Sequence, residues 1–342
     1  MAVSNEQLWK EERLSRSRLI KRIMYIVLVV LVLLIVFSIW LTQPLFIKPA
    51  VSSDKSRVDP SRLESHVKKL SEDFYPRNYL NLNNLNHAAD YIRGEFEKTR
   101  GKVSEQVFHV NGSDYRNIRL ELGEDESKGR IVIGAHYDSA FDTHGADDNA
   151  SGVAGLIELA NLIAKDNLKT KIEFVAYSLE EPPFFGSEQM GSFVHAKSLN
   201  DEAISVKLMI CLEMIGYYSD EPNSQDFPLI IGRLLYPTTG NFVALVGNFS
   251  NVLTIRSFKR SMANTGGIGT YSLNAPAFVT GIDLSDHRNY WRFGFDAVMV
   301  TDTAFFRNKT YHSVNDTANR LDYIRMAEVV ESVHRAVIDQ AN

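Results

Sequence analysis

Between Ile23 and Leu41 the chain reads IMYIVLVVLVLLIVFSIWL, a run without one charged residue. At about 1.5 Å rise per residue such a helix spans a hydrocarbon core of roughly 30 Å. It is too long for the apolar region of a secretory signal, and no small-residue cleavage site follows it. A core helix of this length would keep a polar face, which this one lacks. The run therefore predicts a membrane-spanning helix over residues 23–42. Lys10, Arg13, Arg16, Arg18, Lys21 and Arg22 precede it, whereas Lys48, Lys55 and Arg57 follow more sparsely. The positive-inside rule places residues 1–22 in the cytoplasm and the rest across the membrane. Trp40 suits the outer interface. The expected topology is a single-pass membrane protein with an extracytoplasmic domain.

The remainder of the 342-residue chain has to fold without disulfides, because Cys211 is its one cysteine. The same count excludes a cysteine-rich zinc module, so any metal site must use histidine and carboxylate ligands. A net charge of −5 argues against a nucleic-acid partner. No protein partner is inferable. Sequons at Asn111, Asn149, Asn248, Asn308 and Asn315 would be glycan acceptors in a eukaryotic lumen. Two of them lie within the motifs below, where a glycan would obstruct chemistry. That favours a bacterial source and the periplasmic side of an inner membrane.

Residues 43–60, polar with two prolines after Lys48, read as a linker to a domain over 61–342. Helical spacing is expected at 61–73 and 83–99, followed by two strand-like runs, KVSEQVFHV and YRNIRLEL. Four short apolar runs, 130–138, 171–181, 206–216 and 295–302, have the look of buried strands. Amphipathic helices are expected at 151–165, with Ser151 as N-cap, and at 186–198 and 321–338. Strands alternating with helices predict an α/β fold, a mainly parallel central sheet flanked by helices. The stretch from about 217 to 285 reads as an insertion, with a strand-like FVALVGN and a helix near 252–263, shaping a rim over a pocket.

Ligands of open parallel sheets bind beyond the carboxyl ends of the strands. Here the first buried run ends in His136 and Asp138, the second in Glu180 and Glu181, the third in Glu213. A loop after the first carries Asp147 and Asp148, and one after the last carries Tyr311 and His312. Taken singly, each has a bland structural explanation. Gathered on one sheet edge, so many carboxylates would repel unless cations compensated them. Nitrogen and oxygen ligands without cysteine suit zinc. Asp138, two residues on from His136 in extended chain, shares its face and can orient the ring.

The stretches GAHYDS (134–139), GADDNASG (145–152), SLEE (178–181), LEMIG (212–216), SDH (285–287) and YHSVNDT (311–317) resemble, in order and spacing, the M28 family of zinc peptidases. The resemblance covers roughly residues 60–340. It implies a zinc-exopeptidase fold of the phosphorylase/hydrolase-like kind with two zinc ions. Asp147 would bridge them, Glu181 and His312 completing one site and His136 and Glu213 the other. Glu180 would be the general base. Asp148 and Asp286 would be structural, with Asp138 and Asp316 supporting the ligands. The implied activity is aminopeptidase-like, on peptide substrates. Carboxypeptidase action, which would use Arg233, Arg256, Arg288 or Arg292, a glutaminyl-cyclase-like reaction on a single zinc, and a non-catalytic receptor are the alternatives. Two positions depart from the family: Glu213 stands where many members have Asp, and Ile282 stands where some have an oxyanion-binding Tyr. Tyr311, Tyr217 or His287 are candidates for that missing role.

Overall fold

The computed structural model describes residues 5–42 and 57–342, apart from 167, 229, 231, 264 and 266. The chain divides into two compact units, Met1–Gln43 and Pro44–Asn342. The first is one helix, α1 (Asn5–Thr42), whose Arg13–Trp40 portion is long and apolar enough to cross a membrane. The helix begins well before the apolar run. The basic segment expected as a tail is itself helical from residue 5, since it is rich in Leu, Lys, Arg and Glu and lacks Gly and Pro. Of the expected linker, residues 43–56 lie outside the described residues. Its last two are a helix start: the Asp59 side chain accepts a hydrogen bond from the Ser61 amide, and Pro60 opens α2.

In the second unit, α2 (Pro60–Lys68) and α3 (Leu82–Glu97) precede the hairpin β1 (Lys102–Val110) and β2 (Ser113–Leu122). Then come β3 (Arg130–His136), α4 (Gly152–Ile163), β4 (Ile172–Tyr177), α5 (Gly191–Asp201) and β5 (Val206–Glu213). After them follow the short α6 (Gly232–Leu235), β6 (Phe242–Gly247), α7 (Val252–Ala263), β7 (Gly269–Asn274), α8 (His287–Arg292), β8 (Ala297–Thr301) and α9 (Tyr323–Ala341). The eight strands form one sheet in the order β1-β2-β4-β3-β5-β8-β6-β7. Its centre, β4-β3-β5-β8, is parallel; the hairpin joins it antiparallel through β2, and β6 joins antiparallel to β8.

Helices cover both faces, so the central strands are mostly apolar rather than alternating, with Arg130, Glu173 and the strand-end residues as exceptions. Every residue of β3 and β4 is buried. One core joins α2, α3, α4, α7 and α9 to the sheet through residues such as Leu63, Ile92, Leu159, Phe258 and Val333. The other, containing Val175, Leu199, Met209 and Tyr290, lies under α5 and α8. The stretch 217–285 is less an insertion than an extension of the sheet. β6 and β7 lie in it, β6 fully buried, and both add to the edge beyond β8. Sequence could mark those residues as strand, but pairing across some 50 residues of chain is a tertiary choice.

Register aims the strand ends at one place. Gly134 lies opposite both Val175 and Cys211, so His136 and Glu213, each two residues further on, come out level at the same edge.

Candidate metal and catalytic site

His136, the last residue of β3, is fully buried. Its Nε2 lies 3.3 Å from Asp148 Oδ1, 3.4 Å from Glu213 Oε2 and 3.9 Å from Glu180 Oε2. His312 presents its Nε2 3.1 Å from both Asp148 Oδ2 and Glu181 Oε2. Asp148 thus sits between the two imidazoles, one carboxylate oxygen toward each. Ligand atoms fall close enough to hold an ion in three overlapping groups: His136, Asp148 and Glu213; His136, Glu180 and Glu181; and Asp148, Glu181 and His312.

That geometry corrects the expected assignment of the acidic pair. Residues 147, 149 and 151 face one way and brace the backbone beyond β5. Gly216 N–H donates to Asp147 Oδ1, Met214 N–H to Asn149 Oδ1 and Ile215 N–H to Ser151 Oγ. Asn308 holds the other Asp147 oxygen at 2.8 Å. Burial, and next Asp302, push the Asp147 carboxyl well above its ordinary pKa. Asp148 faces the opposite way, into the site. Burial opposes its ionisation, but the facing imidazoles of His136 and His312 hold it well below the usual range. Ser151 does not cap α4 either. Asn149 Oδ1 accepts from Gly152 N–H, and a Cβ at Gly152 would stand 2.3 Å from that oxygen and 2.5 Å from the Leu212 carbonyl. Only glycine admits so close an approach.

The supporting residues are fixed from behind. Asp138 accepts from the amides of Glu180 and Glu181 at 3.2 and 3.1 Å, while an oxygen of its carboxylate stands 3.5 Å from His136 Nδ1. Asp316 accepts from the Asp147 and Asp148 amides. Buried Arg77, which sequence reasoning passed over, donates to the carbonyls of Tyr137, His144 and Gly145 and so holds the loop. Ser285, also missed, donates to Glu213 Oε2 at 2.6 Å. Its neighbour Asp286 is fully buried with its pKa raised to about 7, chiefly by burial. Leu179, Met214 and His312 all have left-handed backbone, at φ 60°, 48° and 53°. Such conformations cost on the order of 1–3 kcal/mol each and persist where packing over-determines them.

Electrostatically the cluster is short of cations. Burial raises the Glu180 carboxyl well above its usual range, with Glu181 and Glu213 adding to it and His136 opposing. Burial, then Asp148, lifts Glu181 to about 8. Burial also raises Glu213, against the pull of His136. Both imidazoles are raised as well, in spite of burial. Glu180 and Glu213 hold His136 well above normal, and contacts to Asp148 and Glu181 lift His312 to about 10. Yet among the described residues both His136 ring nitrogens, His312 Nε2 and Glu181 Oε1 are buried without a well-formed hydrogen bond. Buried polar atoms are rarely left so. Divalent ions bound by imidazole and carboxylate would satisfy these atoms and discharge the repulsion, so the donor set fits zinc.

Two other expected contacts fall elsewhere. His287 is fully buried, 2.7 Å from the Ile282 carbonyl, with its pKa lowered to about 4 chiefly by burial; it anchors backbone. Tyr217 packs beneath Arg320. Tyr311 remains, its ring stacked on His312 at 3.8 Å and 17°. It lines a cavity that also reaches Glu213 and is walled by Phe227, Tyr236, Phe242, Tyr271 and Ile282. Arg288 and Arg292 face Asp283 and Glu188, and Arg233 stands 3.9 Å from Asp226, which Lys309 holds more closely.

The chain is 44% identical to the uncharacterized protein YfbL of Escherichia coli K12, across 89% of this chain and 97% of that one. To leucine aminopeptidase 1 of Ajellomyces capsulatus it is 25% identical, across 80% and 69% respectively. Among solved structures, a glutaminyl cyclase of Porphyromonas gingivalis shares the fold at TM-score 0.65 and 18% identity, covering 84% of this chain and all of that one. The model of peptidase family M28 matches residues 117–337, which hold both histidines, the strand-end carboxylates and the sheet that carries them. The chain therefore belongs to peptidase family M28 and is a zinc metallopeptidase.

Proposed function

We propose that this metallopeptidase is a membrane-anchored exopeptidase that removes residues from the amino termini of peptides on the extracytoplasmic side. The observation that carries the two-metal part is the placing of Asp148, with one oxygen 3.3 Å from His136 Nε2 and the other 3.1 Å from His312 Nε2. His136 and Glu213 would complete one zinc site, and Glu181 and His312 the second. Zinc there would polarise the scissile carbonyl and lower the pKa of a water. Glu180, buried and 3.9 Å from His136, takes the proton of the attacking water and returns it to the leaving amine. Its raised pKa suits both halves of that transfer. The aromatic cavity beside Glu213 would receive a large apolar side chain next to the scissile bond. The anchor is α1, with the basic residues before its apolar stretch held in the cytoplasm.

Pairing of Arg288 and Arg292 with acids weighs against carboxypeptidase action. A single-zinc cyclisation of amino-terminal glutamine is the second reading, favoured by the fold shared with a cyclase. One experiment separates them. The full-length chain in detergent is given peptides blocked at either end, and a peptide beginning with glutamine. Two equivalents of zinc, cleavage only of peptides with a free amino terminus, and loss of about 100-fold or more in kcat on Glu180→Gln are the expected results. One equivalent of zinc with cyclisation would transfer the assignment to the second reading. Glu180→Gln at full speed would remove that residue as base.

A further inference from the structure

A peptide whose first side chain enters the cavity beside Glu213 has to carry its remaining residues out where the site opens to solvent. The two histidines mark that direction. The His136 side chain is wholly buried, whereas that of His312 is 23% exposed, so the opening lies on the His312 side. There Phe141 stands perpendicular to the His312 imidazole, the ring centroids 6.1 Å apart at 88°. It is not part of the cavity wall, and 59% of its surface is exposed. Val314, two residues beyond His312, is exposed as well.

Folding alone gives no reason for a phenylalanine at this position. Its backbone is left-handed at φ 45°, a conformation that bulky residues rarely adopt, and most of its ring faces water. The loop that carries it is nevertheless pinned. The Asn78 side-chain amide donates to the Phe141 carbonyl, and the Tyr75 hydroxyl donates to the Asp142 carbonyl at 2.9 Å. Tyr75 stacks on His144 at 4.2 Å, and Thr143 Oγ1 donates back to the Ala140 carbonyl. A large apolar ring is thus held still, at a cost in backbone strain, on the open side of the site. Strain of this kind gathers where a residue serves binding or catalysis.

We infer that Phe141 determines specificity for the second residue of the substrate: its ring is the surface on which the side chain after the scissile bond packs. This rests on the peptidase reading above, its amino-terminal polarity included. Phe141 touches no reacting atom, so it acts on binding and leaves the chemistry to the residues beyond it. A ring open to solvent on one side covers only part of a leucine side chain, and the expected effect is the low end for an apolar contact, about tenfold.

The test uses the full-length protein with zinc in detergent and three peptides alike except at the start: Leu-Leu, Leu-Gly and Gly-Leu, each with a free amino terminus. The parent should favour Leu-Leu over Leu-Gly by about tenfold in kcat/KM, carried by KM, because a contact made equally in ground and transition states leaves kcat alone. Phe141→Ala should shrink that preference to about twofold or less while the Leu-Gly peptide and the first-residue preference stay within about twofold of the parent. Phe141→Gly should do the same with a thermal midpoint no lower than the parent's, since glycine takes a positive φ without steric cost. A second-residue preference that survives in both variants, an equal loss on Leu-Leu and Leu-Gly, or a shift in the first-residue preference instead would each overturn the assignment. So would an active parent indifferent to the second residue, which leaves the peptidase reading standing. A parent that cleaves none of the three would end that reading, and this role with it.

Discussion

Two buried clusters of acid and histidine lie in the same sheet, and they are built on opposite terms. In one, Glu173 of β4 receives Arg119 and Arg130, each at 2.6 Å, and His195 Nε2 at 3.1 Å. His195 Nδ1 meets the Tyr290 hydroxyl at 2.6 Å, which in turn meets Tyr177 at 2.7 Å. Two guanidiniums answer one carboxylate. Burial opposes its ionisation, yet His195 and both arginines hold its pKa well below normal. In the other, Asp148, Glu180, Glu181 and Glu213 converge on two imidazoles, and both His136 nitrogens go without a hydrogen bond among the described residues. The first cluster is complete as protein. The second is complete only with cations, and this, not the mere presence of acids and histidines, separates a chemical site from a structural one.

The largest test of that contrast compares the adjacent aspartates. Asp148→Asn should lose zinc and, with it, several kcal/mol of transition-state stabilisation, about 1000-fold or more in kcat/KM. Asp147→Asn should keep its zinc, stay within roughly tenfold in rate and cost about 1 kcal/mol of stability as one hydrogen bond is weakened. Metal analysis beside kinetics reads both; the reverse pattern would restore Asp147 as the bridging residue.

Next in size, Glu173→Gln should lower the unfolding free energy by about 3 kcal/mol while zinc content stays put and kcat moves less than about threefold, since buried guanidiniums lose their countercharge. Denaturant titration measures the first and turnover the second. A collapse of kcat without loss of stability would show the two clusters to be functionally joined.

The smallest effect concerns a third network, where Glu158 bonds to Arg62 at 2.8 Å and His66 at 3.1 Å. Burial opposes its ionisation, but those partners hold its pKa down to about 2, below the ordinary 4.5. A depressed carboxylate stabilises fully above its unfolded pKa and loses that contribution as pH falls toward the folded value. The stability gap between the parent and Glu158→Gln, on the order of 2 kcal/mol at pH 6, should therefore shrink as pH drops from about 5 to about 2. A gap constant across that window would mean that the network contributes by packing alone.

Much of the fold was legible because its signals are local. An uncharged apolar run reads as a long helix, and strands buried on both faces read as the largely apolar runs 131–135 and 172–177, the second interrupted by Glu173. What escaped were features made by distant chain. Ser285 reaches Glu213 across 72 residues, Arg77 reaches Gly145 across 68, and nothing in their surroundings along the chain signals either contact. The 217–285 stretch displayed a strand and a helix in its sequence but not which sheet edge they would extend.

By itself, then, the sequence determined the elements and the chemistry available: buried runs followed by His136, Glu181 and Glu213, no thiol ligand beyond Cys211, and a carboxylate surplus that calls for metal. Tertiary structure alone decided which way each side chain faces. Asp147 and Asp148 are the same residue side by side, and no property of composition or spacing can tell them apart. The backbone beyond β5 offers its amides to one side of their loop and two histidines stand on the other, so Asp147 becomes a brace and Asp148 the carboxylate between the imidazoles.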